Sequence, residues 1–233
     1  MKKTLAIITA RGGSQRIPKK NIKEFCGKPI ITYSIQAAMH SGCFDEVMVS
    51  TDSREIADIS EAAGAKVPFM RTEQTSDNYA TTADVIREVL LTYRSLGLEF
   101  DFGCCIYPTA PFLTEKILAK AMKILITSHV DAVFPVTAYS FPPQRAVIIQ
   151  NGLAQMQFPE NRDIRSQDLE TIYHDAGQFY AFRVRNFLRS GRLLGEKTIP
   201  IIRSSLEVQD IDQEEDWIIA EMKYQLLCER KVL

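Results

Sequence analysis

The strongest constraint on this chain is a rhythm in its first 127 residues, where short apolar, β-branched runs alternate with longer stretches of helical period. Residues 4–10, 46–50, 66–70 and 102–107 read as strands, each followed by a helical pattern at 30–40, 54–63, 81–95 and 114–127. That alternation predicts an α/β fold, a Rossmann-like and mostly parallel sheet with helices on both faces. Pro29 fits the first turn of the first helix and Gly42 closes it, Gly64 ends the second, and Thr114 caps the fourth. From Ala132 the rhythm changes. Residues 132–136, 146–150 and 153–158 read as strands, and Asn151-Gly152 between the last two is a strong hairpin signal. A strand at 177–182, a short helix at 185–189, a strand at 198–203 and a final helix at 214–228 complete the pattern. Residues 140–175 are an excursion from the sheet. At 233 residues, 45% apolar and 24% charged, the chain has the size and composition of a single domain spanning 1–233.

The bulk numbers exclude several partners. A net charge of −1 offers no global basic field for nucleic acid or an anionic membrane. No apolar stretch approaches the roughly 20 residues a membrane span needs. Met1-Lys2-Lys3 and the run behind it resemble a short signal peptide, but the run is only strand-length and leads into a segment dense in Arg and Lys. Cys26, Cys43, Cys104, Cys105 and Cys228 are odd in number and lack C-x-x-C spacing, so neither zinc nor a disulfide framework is indicated. Reduced thiols predict a cytoplasmic protein.

The segment Ala10-Arg11-Gly12-Gly13-Ser14-Gln15-Arg16-Ile17-Pro18-Lys19-Lys20-Asn21 follows the first strand. Gly12 and Gly13 are expected to turn the backbone with positive φ and to bring N–H groups toward an anion, while Arg11, Arg16, Lys19 and Lys20 supply charge. A Gly-Gly turn with solvated neighbours is the plainer reading. The density of cations at a strand's carboxyl end favours an anion site suited to a nucleoside triphosphate. Neither a Walker loop nor a dinucleotide fingerprint is present.

A second constellation is Glu207-Val208-Gln209-Asp210-Ile211-Asp212, before the last helix. In extended backbone Asp210 and Asp212 share a face, which suits a hard cation such as Mg²⁺. The residues alone leave this open, because Asp212 could instead cap the helix. Ser53 after the second strand is likewise open between function and a cap.

These motifs carry a resemblance. Ala10-Arg11, Gly13-Ser14, Ile17 and Lys20-Asn21 resemble the A-R-x-G-S-K-x-I-x-x-K-N signature of the acylneuraminate cytidylyltransferase family, with Gln15 where the family has Lys. The resemblance covers nearly the full chain. It implies CTP and a nonulosonic acid as substrates, Mg²⁺ as cofactor, and a homodimer in which residues 140–175 pack against a second subunit. It implies catalytic roles for Arg11, Lys20, Asp210 and Asp212, the Asp pair being metal ligands. Ala10, Gly12, Gly13, Ser14, Asn21, Arg71, Thr81 and Thr82 become the nucleotide-binding candidates. Arg16 or Lys19 is expected to replace the missing Lys at position 15.

Sugar-binding candidates follow in the same way: Tyr107, Thr109, Arg165, Gln167, His174, Gln178 and Tyr180. The loop Tyr107-Pro108-Thr109-Ala110-Pro111-Phe112-Leu113 resembles the family's Q-P-T-S-P-L-R, with Tyr107 in place of a sugar-binding Gln. The runs Arg165-Ser166-Gln167-Asp168-Leu169 and Tyr173-His174-Asp175-Ala176-Gly177-Gln178-Phe179-Tyr180 resemble the R-T-Q-D-L and Y-H-D-A-G-Q-F-Y of the branch that acts on pseudaminic acid. His174 is expected as a sugar contact or a structural hydrogen-bonder. The expected activity is activation of pseudaminic acid with CTP. The same reaction on N-acetylneuraminic or legionaminic acid, and a non-catalytic nucleotide-binding regulator, are the alternatives.

Overall fold

The structure, a computed structural model, describes residues 2–77, 79–230 and 232. Eleven strands and six α-helices form in the order β1 (Thr4–Thr9), β2 (Glu24–Phe25), β3 (Lys28–Pro29), α1 (Ile31–His40), β4 (Glu46–Ser50), α2 (Arg54–Ala62), α3 (Thr82–Ser95), β5 (Phe102–Ile106), α4 (Glu115–Thr127), β6 (Ala132–Ala138), β7 (Val147–Gln150), β8 (Leu153–Met156), β9 (Tyr173–Asp175), β10 (Phe179–Arg183), α5 (Val184–Ser190), β11 (Thr198–Ile202) and α6 (Glu214–Glu229). The main sheet runs β11-β6-β10-β5-β1-β4, with β9 added to β6. β1 pairs in parallel with both β4 and β5, and β6 with β11. β10 runs antiparallel between β5 and β6, and β9 is antiparallel to β6.

Strand alternation divides the core. Ala6 and Ile8 of β1 face a cluster with Ile31 and Ile35 of α1 and Leu118 and Met122 of α4. Leu5 and Ile7 face the other side, with Ile86 and Val89 of α3 and Phe187 of α5. Because β1 is covered on both faces it reads as one continuous apolar run. A third cluster docks α6 beside the start of α1. There Phe25 sits 5.6 Å from the rings of Tyr33 and Trp217 and 5.5 Å from Tyr224, all edge-on. Each such contact adds about 0.5–1.5 kcal/mol beyond its buried area. This cluster holds the carboxylate segment before α6 against the loop after β1.

Several expectations are corrected. The run 66–70 is no strand: Lys66 makes a single bridge to Met48, and Pro68 soon afterwards has no N–H with which to extend the ladder. Helix α1 starts at Ile31 with Ile30 as its N-cap, so Pro29 precedes the helix and pairs in β3. Thr114 is the N-cap of α4 but makes no side-chain capping bond. Ser53 does cap α2, its Oγ accepting from the Ile56 N–H at 3.4 Å. The excursion has the expected hairpin, β7–β8, with positive φ at both Asn151 and Gly152. Among the described residues this hairpin pairs with no strand of the main sheet and leaves Val147, Ile149 and Leu153 exposed, whereas the end of the excursion, β9, returns to the sheet beside β6.

Candidate functional site

A cleft of about 630 Å³ opens where β1 and β5 end, the place at which parallel α/β sheets bind ligands. The loop after β1 is its floor. Asn21 is buried and donates Nδ2–H to the Arg11 carbonyl at 2.9 Å, closing the loop on itself. Arg11, Ser14, Arg16, Lys20 and Asn21 all line the cleft. The expected backbone geometry needs correction, since neither Gly12 nor Gly13 has positive φ; the left-handed residue is Lys19, at φ 53°. Gly12 instead makes a close approach: a Cβ there would stand 3.1 Å from the Cβ of Ser53, a tight contact. Its N–H donates to Asp52 Oδ1 at 2.7 Å, and the Ser14 N–H to the Gly12 carbonyl at 3.0 Å. These two amides are engaged internally, and the cationic side chains that line the cleft are those of Arg11, Arg16, Lys20 and Arg71. Ala10, buried and hydrogen-bonded to the Ser50 carbonyl, supports the loop from beneath.

Of the two cations expected to stand in for a lysine at 15, Arg16 faces the cleft. Lys19 turns away, its Nζ 2.8 Å from both carboxylate oxygens of Glu55. Arg71 is 8% exposed, and its guanidinium donates to Ser50 Oγ at 3.1 Å and the Ser50 carbonyl at 2.6 Å. Burial lowers its pKa, opposed by the charges of Asp52 and Glu88. A cation in a cleft wall with neutral hydrogen-bond partners is poised for an electron-rich ligand. Thr82 and Thr109 line the same cleft. Thr81 is not among its walls. Thr81 forms a capping box with Asp84 at the start of α3, so its side chain is committed to the helix.

The carboxylate segment closes one end of the cleft. Ile211, 1% exposed, anchors the backbone in the third core cluster. Asp212 Oδ1 accepts from Arg16 at 2.8 Å and from Lys20 Nζ at 3.5 Å, while Lys20 also donates to the Ile211 carbonyl at 2.6 Å. The capping alternative for Asp212 fails: the N-cap of α6 is Gln213, and Asp216 accepts from the N–H groups of Asp212 and Gln213. Asp210 and Asp212 face a second cleft of about 400 Å³ together with His174. Although Asp210 reaches solvent, surrounding protein raises its pKa, and the charge of Asp212 raises it further against the pull of Lys20. Among the described residues no cluster of three or more His, Cys, Asp or Glu side chains forms. A donor set of two adjacent, mutually repelling carboxylates fits Mg²⁺, which takes one or two carboxylates and fills its remaining positions with water and phosphate oxygens.

The sugar-side candidates divide. His174 lies on β9 in the second cleft, its Nδ1–H donating to the Asp175 carbonyl at 2.8 Å and its ring 4.7 Å from that of Tyr139. Tyr107 lines the first cleft. Its backbone is fixed twice, by its N–H donating to the Gln178 carbonyl at 2.9 Å and by Ser34 Oγ donating to its carbonyl at 2.8 Å. Tyr180 packs edge-on to Tyr107 and donates its hydroxyl to Asp175 Oδ2 at 2.5 Å; burial first, then that bond, raises its pKa. Gln178 is a strut, not an exposed contact: it is 3% exposed and donates Nε2–H to the Glu207 carbonyl at 2.7 Å. Arg165 and Gln167 sit on the exposed excursion outside both clefts, Arg165 paired with Asp168 at 2.7 Å. A single chain does not bring them to the site.

The family model described as Cytidylyltransferase matches residues 5–226. The chain belongs to this family. It is 38% identical to the pseudaminic acid cytidylyltransferase of Campylobacter jejuni, over 96% of this chain and 97% of that one. It is 30% identical to the CMP-N,N'-diacetyllegionaminic acid synthase of Legionella pneumophila, over 95% and 96%. Its fold is shared with a CMP:2-keto-3-deoxy-manno-octonic acid synthetase solved in complex with CTP, at a TM-score of 0.69 and 18% identity over 97% of this chain and 99% of that one.

In this cytidylyltransferase the first cleft joins the cationic loop to the end of β5, and the second joins the Asp pair to β9. They meet where Arg16 and Lys20 reach Asp212. Sequence reasoning missed Asp52, which holds the Gly12 amide, and Lys223, which lines the second cleft. Asp52 stood in a strand-end segment already noted for Ser53. Lys223 left no local signal, because it lies mid-helix in a stretch of mixed polar and apolar residues.

Proposed function

We propose that this cytidylyltransferase transfers CMP from CTP to pseudaminic acid, releasing pyrophosphate. The anomeric hydroxyl oxygen of the sugar attacks the α-phosphorus and gives up its proton to water, and the bond from that phosphorus to the bridging α–β oxygen breaks. Arg11, Arg16 and Lys20 offset charge on the triphosphate as pyrophosphate leaves, and Arg71 with Thr82 borders the nucleotide in the first cleft. Asp210 and Asp212 would hold Mg²⁺, which when bound neutralises triphosphate charge and polarises the reacting phosphate. The observation that carries the reading is the contact of Asp212 with Arg16 and Lys20, which puts the carboxylate pair against the cationic loop.

The choice of sugar rests on the likeness to the Campylobacter jejuni relative, supported by the Tyr173–Tyr180 run and by Tyr107. A pyrophosphate-release assay with CTP, Mg²⁺ and pseudaminic, N-acetylneuraminic and legionaminic acids tests it. Pseudaminic acid should give the highest kcat/KM. Equal values for the three acids would defeat the substrate assignment, and no release with any would leave a nucleotide-binding regulator.

The proposed functional unit is a homodimer. The excursion exposes Phe141 at 84% and Ile149 at 77%, and an isolated two-stranded hairpin is marginal in water. Pairing two excursions about a twofold axis would cover these residues and could carry Arg165 and Gln167 to the neighbouring site. The proposed compartment is the cytoplasm, on the grounds of free cysteines including the buried Cys104 and Cys105.

A further inference from the structure

Between β11 and α6 the backbone has only one short 3₁₀ turn, Ser205–Glu207, so its polar groups need partners from outside the segment. Two carboxylates meant to share one ion must nevertheless be held to within about 0.5 Å. The structure shows what holds them. Lys223 Nζ donates to the Ser205 carbonyl at 3.0 Å, the Val208 carbonyl at 2.8 Å and Gln209 Oε1 at 2.9 Å. An ammonium has three donors, and here all three go to the five residues immediately before Asp210. Gln209 passes the restraint on, its Nε2–H reaching the Asp210 carbonyl at 3.2 Å and Asp216 Oδ1 at 3.3 Å.

The strut is rigid because its helix is. Asp216, Ala220, Lys223 and Leu227 recur at spacings of four, three and four, one stripe of α6. Ala220 and Leu227 bury that stripe, and Asp216 fixes the N–H groups of Asp212 and Gln213. Lys223 directs its donors to two backbone carbonyls and an amide oxygen of this segment, not to the carboxylates themselves, so it acts through position.

We infer that Lys223 is a positioning residue for the Asp210–Asp212 pair, setting the affinity of the divalent-cation site by clamping residues 205–209 to α6. This deepens the proposed function and rests on its metal reading. Residues that orient metal ligands typically change metal affinity 10–100-fold when removed.

The test uses the full chain and three measurements: Mn²⁺ affinity in the presence of CTP from the electron paramagnetic resonance of free Mn²⁺, amide hydrogen exchange over 205–212 without metal, and CTP affinity without metal. Lys223→Met keeps the apolar stem and removes the donors. It should weaken Mn²⁺ binding about 10–100-fold and speed exchange at 205–212, with metal-free CTP affinity unchanged. Lys223→Arg, which can still donate to carbonyls, should recover part of the Mn²⁺ affinity. Gln209→Ala should give an intermediate loss, and it carries the test if Lys223→Met does not fold. Wild-type Mn²⁺ affinity in either variant, whatever its thermal midpoint, overturns the inference while leaving an active wild type's proposed function standing. A wild type that binds no Mn²⁺ with CTP overturns the inference together with the metal reading.

Discussion

Asp210→Asn and Asp212→Asn should have the same effect on turnover and opposite effects on stability. For Asp212 the structure supplies two ion-pair contacts, to Arg16 at 2.8 Å and Lys20 at 3.5 Å, with the Asp212 side chain 39% exposed. Exposed pairs contribute about 0–1 kcal/mol, and 1 kcal/mol moves the Tm of a chain this long by about 2–4 °C. Two such contacts bound the loss at about 2 kcal/mol, so Asp212→Asn should lower the Tm by no more than about 8 °C. Asp210 is the reverse case. Its folded-state pKa is raised, so between the unfolded and folded values the native state binds more protons than the unfolded state, and stability falls as pH rises through that window. Above the window the ionised carboxylate penalises the fold. Asp210→Asn removes the penalty and should leave Tm at neutral pH unchanged or higher. Both variants should lose about 10²–10³ in kcat, the cost of one charge-stabilising group. Differential scanning calorimetry at neutral pH and pyrophosphate release at limiting Mg²⁺ are the assays. A Tm drop in Asp210→Asn would refute the electrostatic reasoning, and near-normal turnover in both variants would refute the metal role.

Arg11→Ala and Lys20→Ala should each weaken CTP binding and slow turnover together while changing sugar KM less; titration calorimetry with CTP that finds wild-type affinity in both removes the loop's phosphate role. Gln178→Ala strips a buried donor from the Glu207 carbonyl and should cost about 1–3 kcal/mol in stability. Its sugar KM should change less than that of His174→Ala, and the opposite order in steady-state kinetics would restore Gln178 as a substrate contact. Ile149→Glu on the exposed hairpin should shift light-scattering mass from dimer to monomer and lower activity, whereas a fully active wild-type monomer at assay concentration would sink both the dimer and the shared site.

Much of the architecture was legible because periodicity is a local property. Six consecutive apolar or small residues in β1, the four at 47–50 in β4 and the long final helix announce themselves within a few turns of chain, as does the Asn151-Gly152 hairpin. The loop Ala10–Asn21 and the Asp210/Asp212 pair were visible as residue types at a spacing, and likeness to a family turned them into candidate sites. Their failures are equally local: two glycines suggest positive φ, but Lys19 carries it, and Gly12 makes a close approach to Ser53.

What only the tertiary structure decided is which distant residues meet. Sequence marks β10 as a strand, but not that it enters antiparallel between β5 and β6, because strand order is set by packing and not by pattern. Thr81 and Thr82 look alike in sequence; helix direction gives one to a capping box and the other to the cleft. Gln178 reads as a ligand contact in sequence; the fold buries it and ties its Nε2–H to the Glu207 carbonyl. The bond from Arg16 to Asp212 spans 196 positions and that from Lys223 to Val208 runs back from the last helix. Such contacts have no period and no local composition to reveal them, since they exist only after the aromatic cluster around Phe25 and Trp217 has docked α6 beside the loop after β1.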